Sequence, residues 1–292
     1  MSLLNEPLQF GAAPRAARVT LVGAGPGDPE LLTLKAAKAL RAASLVLYDH
    51  LVGKEVLEFV PRGADRIYVG KEAGCHTLTQ EGIIELMIRL ARAGKPVLRL
   101  KGGDPFIFGR GGEEVQALAA QGIPFDVIPG ISAAQGAAAY AGMPLTHRDH
   151  AGTLVFVTGH LCETRRTTDR DMPHGPAQEL CVNLDWPMLA RPHQTVVIYM
   201  GVRTLPVICT QLIAHGLHPD TPAALVERAT LPGQRTVVGS VQTLPTLALV
   251  HGVQAPALII IGGVVGLHEQ LGHAGALAAV ATPGLNLCQA AA

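Results

Sequence analysis

The segment LKGGDPFIFGRGGEE, at residues 100–114, carries five glycines beside Lys101, Arg110 and three acids. A helix or strand tolerates glycine poorly, and a surface loop does not need so many, so this backbone is expected to approach another group closely. The segment follows the apolar run VLRL and precedes the helix-like EEVQALAAQ. This order predicts a ligand-binding loop between a strand and a helix, in which backbone amides and carbonyls contact the ligand.

A second glycine-rich segment, VGAGPGDPELLT at residues 22–33, also follows a strand pattern and opens a helix pattern. Gly23 and Gly25 match the GxGxxG fingerprint of dinucleotide-binding proteins, and Asp49 lies where that fold carries a ribose-binding acid. Asp28 replaces the third glycine of the fingerprint. An NAD site is therefore disfavoured, although an NAD-dependent oxidoreductase stays as an alternative function.

A third segment of small residues, PGISAAQGAAAYAGMP at residues 129–144, follows the next strand in the same way. All three turns leave the carboxyl ends of their strands, the edge at which open α/β sheets bind ligands. Neither of the first two contains the GxxxxGK(S/T) sequence of a phosphate-binding loop, so nucleoside triphosphate hydrolysis is not expected. Together the turns predict a pocket with backbone walls, suited to a flat or extended ligand.

The apolar pattern predicts two α/β domains, the first with a mostly parallel sheet and the second with a mixed sheet. Capping residues are predicted at two helix starts, Asp28 with Pro29 for one and Thr77 with Gln80 for the other. The turn ATLPGQ predicts an adjacent antiparallel pair of strands in the second half. The predicted strands lie at 18–22, 45–48, 96–100, 125–128, 153–158, 195–200, 223–228, 235–241 and 257–261, and the predicted helices at 28–43, 77–94, 112–121 and 132–141.

We expect the N-terminal α/β domain at residues 18–148 and the C-terminal α/β domain at residues 149–270. An exposed insertion near 162–183 interrupts the second domain, because LCETRRTTDRDMPHGPAQELCVN has several charges and no apolar period. Residues 1–17 are predicted to be a poorly ordered extension, and residues 271–292 a poorly ordered tail.

Bulk composition argues against several partners. Lys plus Arg and Asp plus Glu number 23 each, so no overall field favours nucleic acid or an anionic membrane. No late apolar run reaches the ~20 residues of a membrane span, and the N-terminus lacks the pattern of a secretory signal. The five cysteines are scattered without a CxxC pair. These observations predict a cytoplasmic protein with reduced thiols, without a nucleic-acid or membrane partner.

His147 and His150, in THRDH, have the HxxH spacing found in some metal sites. A catalytic zinc site takes three protein ligands and a structural one takes four, and no pattern of a third ligand accompanies this pair. A polar turn is therefore the favoured interpretation, and no metal is expected.

A series of motifs across residues 18–270 resembles the tetrapyrrole methylase family, and within it the uroporphyrinogen-III C-methyltransferases. The resemblance implies two α/β domains with S-adenosylmethionine in a cleft between them, and a homodimer. It further implies transfer of two methyl groups from S-adenosylmethionine to uroporphyrinogen III, giving precorrin-2. In chain order, the motifs are LVGAGPGDPELLT, VLYDHLV, VGKEAG, LKGGDPFIFGRGGEE, VIPGISAA, AGMPLTHRD, VTGH, YMG, PAALVERAT and PALIIIGG.

The resemblance also implies roles for residues at the matching positions. Asp49 would be the proton acceptor and Lys71 the proton donor, with Arg110 as a further candidate base or substrate anchor. The residues implied for the tetrapyrrole pocket are Glu113, Tyr140 and Arg148. The residues implied for contact with S-adenosylmethionine are Pro26, Gly102, Gly103, Asp104, Ile107, Ser132, Ala133, Met200 and Ala229.

The chemistry of such a reaction agrees with these residue types. The substrate is a polycarboxylate and needs arginines, and four lie beside glycine turns or strand ends, at Arg110, Arg148, Arg228 and Arg235. In-line methyl transfer depends on alignment more than on acid catalysis, but a base must then collect the proton lost from the porphyrinogen system. Arg110 is ranked as an anchor first and a base second, because the reference pKa of arginine exceeds ~12.

The chain departs from the family pattern in the connector from VTGH to LDW, which is longer here. The sequence also shows no dehydrogenase-ferrochelatase module, so the expected product is precorrin-2 and not sirohaem. Three alternatives stay open: a methylase of a later corrin intermediate, the NAD-dependent oxidoreductase, and a non-catalytic tetrapyrrole carrier. The carrier would keep the arginines but would have no use for the glycine loops or for Asp49.

Overall fold

The computed structural model describes residues 16–70, 78–160 and 182–272. It divides into two compact units, of which the first ends at Ile131 and the second begins at Ser132. This division comes earlier than the boundary expected between residues 148 and 149. The helix Ala133–Tyr140 explains the difference, because its alanines pack against Val197 and Ala224 of the second sheet. The predictions for residues 1–15, 162–181 and 273–292, and for Lys71, lie outside the described residues.

A parallel sheet with helices on both faces forms the first unit. Its described strands are β1 (Val19–Gly23), β2 (Leu45–Tyr48), β3 (Asp65–Tyr68), β4 (Val97–Lys101) and β5 (Phe125–Ile128). Their order in the sheet is β3-β2-β4-β1-β5, and every neighbouring pair is parallel. Strands buried on both faces need apolar side chains on both, which is why β1 and β2 are near-continuous apolar runs, whereas the edge strand β3 begins with two exposed charged residues. The helices are a 3-10 helix (Pro29–Leu31), α1 (Leu34–Arg41), α2 (Lys54–Leu57), α3 (Gln80–Arg92) and α4 (Gly111–Ala120).

Two helix starts differ from the prediction. Asp28 caps only the short 3-10 helix, and its carboxylate accepts a hydrogen bond from the Glu30 amide at 2.8 Å. The chain then becomes extended at Leu32, and α1 begins after Thr33, whose hydroxyl accepts from the Ala36 amide. Helix α3 is capped by Thr79 and not by Thr77, which lies outside the described residues. At each start, the hydroxyl of a threonine accepts from an amide in the first turn of the helix, as is typical of an N-cap residue.

The second unit contains a mixed sheet. Its described strands have the order β6-β7-β10-β8-β9, in which β6 and β7 are parallel and the other neighbours are antiparallel. The predicted antiparallel pair around ATLPGQ is confirmed as β8 and β9. The strands are β6 (Thr153–Thr158), β7 (Gln194–Tyr199), β8 (Pro222–Glu227), β9 (Arg235–Ser240) and β10 (Ala257–Ile261). The helices are α5 (Ala133–Tyr140), α6 (Trp186–Leu189), α7 (Leu205–Ala214), α8 (Leu244–Val250), a 3-10 helix (Gly263–Leu267) and α9 (His268–Leu271).

These topologies bring strand ends together. All carboxyl ends of the parallel first sheet lie at one edge. In the second sheet, β7 and β8 each run antiparallel to β10, so their carboxyl ends also share an edge, and parallel β6 ends beside β7. The predicted fold class, two α/β units with a parallel first sheet and a mixed second sheet, is confirmed.

Candidate active site

The loops after β1, β4 and β5 meet backbone to backbone at the carboxyl edge of the first sheet. Gly25 and Gly103 exchange two hydrogen bonds, with N···O distances of 3.2 and 2.7 Å. A Cβ on Gly130 would lie 2.3 Å from the Gly103 carbonyl oxygen, and a Cβ on Gly23 would lie 2.5 Å from the Gly130 nitrogen. The glycines that predicted close approach to a ligand therefore serve, in the first place, the close approach of the loops to one another.

Asp104 fixes the loop after β4 in place. Its Oδ1 accepts from the Phe106 amide at 2.8 Å, and its Oδ2 accepts from the Gly130 amide at 3.1 Å. The carboxylate thus ties this loop to the loop after β5. The five cofactor residues predicted in the first unit lie in the loops that these bonds join, at Pro26, Gly102, Gly103, Asp104 and Ile107.

Asp49 follows β2 and lies next to the same loops. Its Oδ1 accepts from the Leu51 amide at 3.2 Å, which forms a tight turn. Leu51 packs on Gly102 so closely that a Cβ on Gly102 would lie 2.7 Å from the Leu51 Cβ. The predicted proton acceptor therefore lies on a turn in contact with the predicted cofactor loop.

Beneath these loops lies a cluster of buried charges that the sequence analysis missed. Lys101 Nζ donates to Glu114 Oε1 at 2.9 Å, and Arg99 Nε lies 3.4 Å from the same oxygen. Arg99 Nη2 also donates to Asp49 Oδ2 at 3.0 Å. Burial, and then the neighbouring Arg99 guanidinium, lower the pKa of Lys101, and Glu114 opposes this shift. A signal was present in the sequence, since two cations alternate with leucines in the otherwise apolar strand β4.

Arg110 and Glu113 form a more exposed pair at the start of α4. Arg110 Nε and Nη2 donate to the two Glu113 oxygens at 2.9 and 2.6 Å. This hydrogen bonding raises the pKa of Arg110 and lowers the pKa of Glu113. A guanidinium whose pKa is raised loses its proton less readily, so less of the neutral form is available to act as a base. The geometry therefore favours the anchor role over the base role.

The edge of the second sheet brings together the other four predicted cofactor residues. The hydroxyl of Tyr199, at the end of β7, accepts from the Ala134 amide at 3.1 Å and so joins the start of α5 to this edge. The side chains of Ala133, Tyr199 and Ala229 pack against one core. Ser132 is buried, and its side chain forms a capping box with Gln135, so it is committed within the protein.

Three residues at this edge have backbone conformations that L-residues rarely adopt. Met200, Arg228 and Thr230 have φ values of 54°, 48° and 66°. Such angles are uncommon outside glycine and are a genuine outlier for a β-branched residue such as threonine. Met200 is exposed, with 53% of its surface accessible, although it is a large apolar residue.

The predicted substrate residues of the second unit lie apart from one another along the chain. Tyr140 ends α5, while Arg148 is exposed in the turn His147–Ala151, which two backbone hydrogen bonds close. The His147 Nδ1 accepts from the Asp149 amide at 3.1 Å, and the His147 and His150 rings lie 4.8 Å apart. The pair is therefore part of the turn's own structure.

The two remaining predicted arginines differ. Arg235 donates to Glu227 Oε2 at 2.7 Å through Nε and to the His251 carbonyl at 3.0 Å through Nη1. Arg228 is half exposed, and its Nε lies 3.9 Å from Glu227 Oε1. Arg235 is therefore held by the protein, whereas Arg228 keeps the exposure that an anchor for a carboxylate needs.

Within residues 16–70, 78–160 and 182–272, no three or more His, Cys, Asp and Glu side chains are grouped as metal ligands would be. No helix in the same ranges is both long enough and apolar enough to cross a bilayer.

Comparison with known proteins agrees with the motifs. The sequence model of the tetrapyrrole (corrin/porphyrin) methylases matches residues 18–245. A siroheme synthase of Nitrosospira multiformis is 54% identical over 258 residues, which cover 88% of this chain and 51% of that protein. The chain thus spans about half the length of the siroheme synthases that it matches.

Solved structures give the same result. The chain is 40% identical to a uroporphyrin-III C-methyltransferase from Thermus thermophilus complexed with S-adenosylhomocysteine, with a TM-score of 0.67 over 85% of this chain and 93% of that one. It is 28% identical to a cobalt precorrin-4 methyltransferase, with a TM-score of 0.69 over 85% of this chain and 95% of that one. The chain therefore belongs to the tetrapyrrole (corrin/porphyrin) methylases, a family of methyltransferases.

Proposed function

We propose that this chain transfers two methyl groups from S-adenosylmethionine to uroporphyrinogen III, giving precorrin-2 and S-adenosylhomocysteine. The observation that carries the proposal is the packing of Leu51 on Gly102, which sets the Asp49 turn against the predicted cofactor loop. Similarity to the Thermus enzyme along nearly its whole length supports the same reaction.

The residues at the two strand edges fit S-adenosylmethionine better than a dinucleotide. The nine predicted contact residues include no Lys or Arg, which suits a ligand without phosphates. In a dinucleotide fold, the pyrophosphate binds at the start of the helix after the first strand. Here the Asp28 carboxylate accepts the amide hydrogen bond at that place, so a second anion would be repelled. This argues against the NAD-dependent alternative.

Each residue has one task in the proposed reaction. S-adenosylmethionine supplies an electrophilic methyl group when bound. The half-buried backbone of Gly102 and Gly103 would hold the donor, and the exposed Met200 side chain would contact it. Asp49 would accept the proton that the porphyrinogen ring system loses after methylation of the pyrrole carbon. Exposed arginines at Arg110, Arg148 and Arg228 would bind substrate carboxylates, and Lys71 would act as proton donor.

The test is an anaerobic assay of the purified chain with uroporphyrinogen III and S-adenosylmethionine, read by mass spectrometry as the gain of two methyl groups. We expect Asp49→Asn to lower kcat by about 10²–10⁴-fold, the usual contribution of general acid–base catalysis. Binding of S-adenosylhomocysteine, measured by calorimetry, should change little. Asp126→Asn is the matched control, because Asp126 pairs with Arg18 at an exposed site of the same unit. Full activity of Asp49→Asn would show that Asp49 is not the proton acceptor. A wild type that does not methylate uroporphyrinogen III would contradict the proposed reaction itself.

A second candidate is methylation of a later corrin intermediate. The TM-score of 0.69 to the cobalt precorrin-4 methyltransferase supports this second candidate. The same assay decides between the two when uroporphyrinogen III and a corrin acceptor are offered separately. Methylation of the corrin alone would replace the first proposal by the second.

We further propose that the protein is a homodimer in the cytoplasm, as the resemblance and the composition imply. Light scattering coupled to gel filtration measures the mass in solution. A mass of one chain at micromolar concentration would contradict the dimer.

A further inference from the structure

Four charged side chains lie together under residues 102–113, which comprise the loop after β4 and the start of α4. Arg99 and Glu114 are 3% and 0% exposed, Lys101 is buried, and Asp49 keeps 21% exposure at the rim. The formal charges of the two cations and two carboxylates cancel. Buried ion clusters of this kind are rarely the most stable solution for a protein interior, since apolar residues of similar volume are often as stable or more so.

The hydrogen bonds are distributed unevenly. Arg99, Lys101 and Gln80 all direct nitrogens at Glu114 Oε1, at 3.4, 2.9 and 3.1 Å. Among the described residues, Glu114 Oε2 is buried with no hydrogen-bond partner. An unpaired buried acceptor destabilises a fold, so an arrangement chosen for stability alone would not leave it.

The cluster instead fixes two parts of the proposed site. Lys101 directly precedes Gly102, and Glu114 follows Glu113, so their ion pair joins the two ends of the segment 102–113. Arg99 joins this pair to Asp49, because its Nε faces Glu114 while its Nη2 donates to Asp49 Oδ2. Its Nη1 donates to the Leu100 carbonyl at 2.8 Å, which holds the guanidinium plane.

We infer that Arg99 is a positioning residue, which orients the Asp49 carboxylate and ties it, through Glu114, to the ends of the cofactor loop. The inference rests on the proposed function, because it assigns Arg99 an effect on turnover through Asp49. Lysine cannot replace this arrangement, since an ammonium lacks the planar fork that reaches two carboxylates and a carbonyl at once.

The test is a double-mutant cycle on kcat with Arg99→Gln, Asp49→Asn and both together. If Arg99 acts through Asp49, Arg99→Gln lowers kcat by about 10–100-fold, while the double variant falls little below Asp49→Asn alone. The KM for S-adenosylmethionine stays within about twofold, because Arg99 is buried and does not reach the donor. Arg18→Gln is the control, since it breaks an exposed arginine–carboxylate pair in the same unit and should leave kcat unchanged.

Arg99→Lys gives a second measurement if the glutamine variant fails to fold. It keeps the buried charge, and we expect normal binding of S-adenosylhomocysteine with a lowered kcat. Multiplicative effects of the Arg99 and Asp49 variants, or an unchanged kcat in Arg99→Lys, would overturn the inference while leaving the proposed function standing. A wild type that does not methylate uroporphyrinogen III would overturn both.

Discussion

The carboxyl edges of the two sheets achieve close packing in different ways. At the edge of the first sheet, Gly23, Gly103 and Gly130 lack side chains, and their backbones are in direct contact. At the edge of the second sheet, Met200 and Thr230 keep their side chains but have positive φ angles. A non-glycine residue in that region costs about 1–2 kcal/mol. The contacts between glycines at the first edge avoid this cost, whereas Phe108 and Arg110, farther along the loop after β4, have φ values of 51° and 57° and carry it as Met200 does.

This difference separates two kinds of binding surface. The first edge presents peptide groups, held by a buried cluster of charges below them. The second edge presents side chains such as the exposed Met200, at positions that only a strained backbone provides. A protein can retain such strain when the surrounding structure fixes it and a function uses it. Four comparisons of variants test how far the two edges, and the units that carry them, differ.

The largest expected effect concerns the buried carboxylates, of which each unit supplies one for comparison. Glu114→Gln leaves buried Arg99 and Lys101 without a counter-charge, and we expect a loss of about 3–5 kcal/mol in the free energy of unfolding. Glu227 is similarly buried, at 5% exposure, but its partner Arg235 is half exposed and can turn to water. Glu227→Gln should therefore cost only about 1–2 kcal/mol. Urea unfolding of both variants measures the difference, and equal losses would contradict it.

The next effect tests the contact between the glycine loops. Alanine at Gly130 places its Cβ 2.3 Å from the Gly103 carbonyl oxygen, which belongs to a backbone that cannot move aside easily. We expect Gly130→Ala to cost about 3 kcal/mol, at the upper end of the range for overpacked cores.

Gly112→Ala is the matched control in the same unit. A Cβ there meets no atom within 4 Å, and the residue lies in helix α4. Because alanine is the better helix former, this variant should gain about 0.5–1 kcal/mol. If both alanines lowered the melting temperature equally, the close contact of the loops would not be the cause.

A smaller effect separates strain from contact at Met200. Met200→Gly and Met200→Ala remove nearly the same side chain, but only glycine relieves the positive φ. The glycine variant should therefore be about 1 kcal/mol more stable than the alanine variant in thermal unfolding. Both should weaken binding of S-adenosylhomocysteine to the same extent if the side chain contacts it. A glycine variant that binds like the wild type would show that the side chain is not needed.

The same contrast explains which features the sequence could predict. Glycine loops at strand ends and alternating strands and helices are local patterns, so the two sheets and the first edge could be anticipated. The strain at Met200 could not, because nothing in a methionine marks a left-handed backbone that tertiary packing imposes. The buried cluster was missed for a related reason. Arg99 and Glu114 are fifteen positions apart, and they meet only because the fold brings the start of α4 within hydrogen-bonding distance of side chains on β4.

The roles of several predicted residues also depend on contacts that a motif does not contain. Ser132 matches the cofactor pattern, yet its hydroxyl caps α5. Asp104 matches it as well, yet one of its oxygens accepts from the Phe106 amide in its own loop and the other from the Gly130 amide in the loop after β5. Arg235 was grouped with the candidate anchors for substrate carboxylates, but the strand register places it directly opposite Glu227. A sequence pattern identifies which residues lie near a site, whereas packing decides which of them are available to a ligand.

The smallest effect is expected at the exposed pair of the first unit. Hydrogen bonding to Arg110 lowers the pKa of Glu113 below its ordinary 4.5. A lowered carboxyl pKa contributes stability above the unfolded value of 4.5, and this contribution is lost as the pH falls through the folded value. Because both side chains are half exposed, Glu113→Gln should cost less than about 1 kcal/mol at pH 7, and less still in 1 M salt.

The melting-temperature difference between the wild type and Glu113→Gln measures this contribution, and it should shrink between pH 7 and about pH 3.5. A difference that is unaffected by both pH and salt would mean that the ion pair is not its source.

A weak pair has a consequence for function. Arg110 can exchange Glu113 for a substrate carboxylate at little cost, whereas Arg99 and Arg235, each bound to a buried carboxylate, cannot. Of these three arginines, Arg110 is therefore the one suited to bind and release the proposed polycarboxylate substrate, whereas Arg99 and Arg235 are suited to stabilise the surrounding structure.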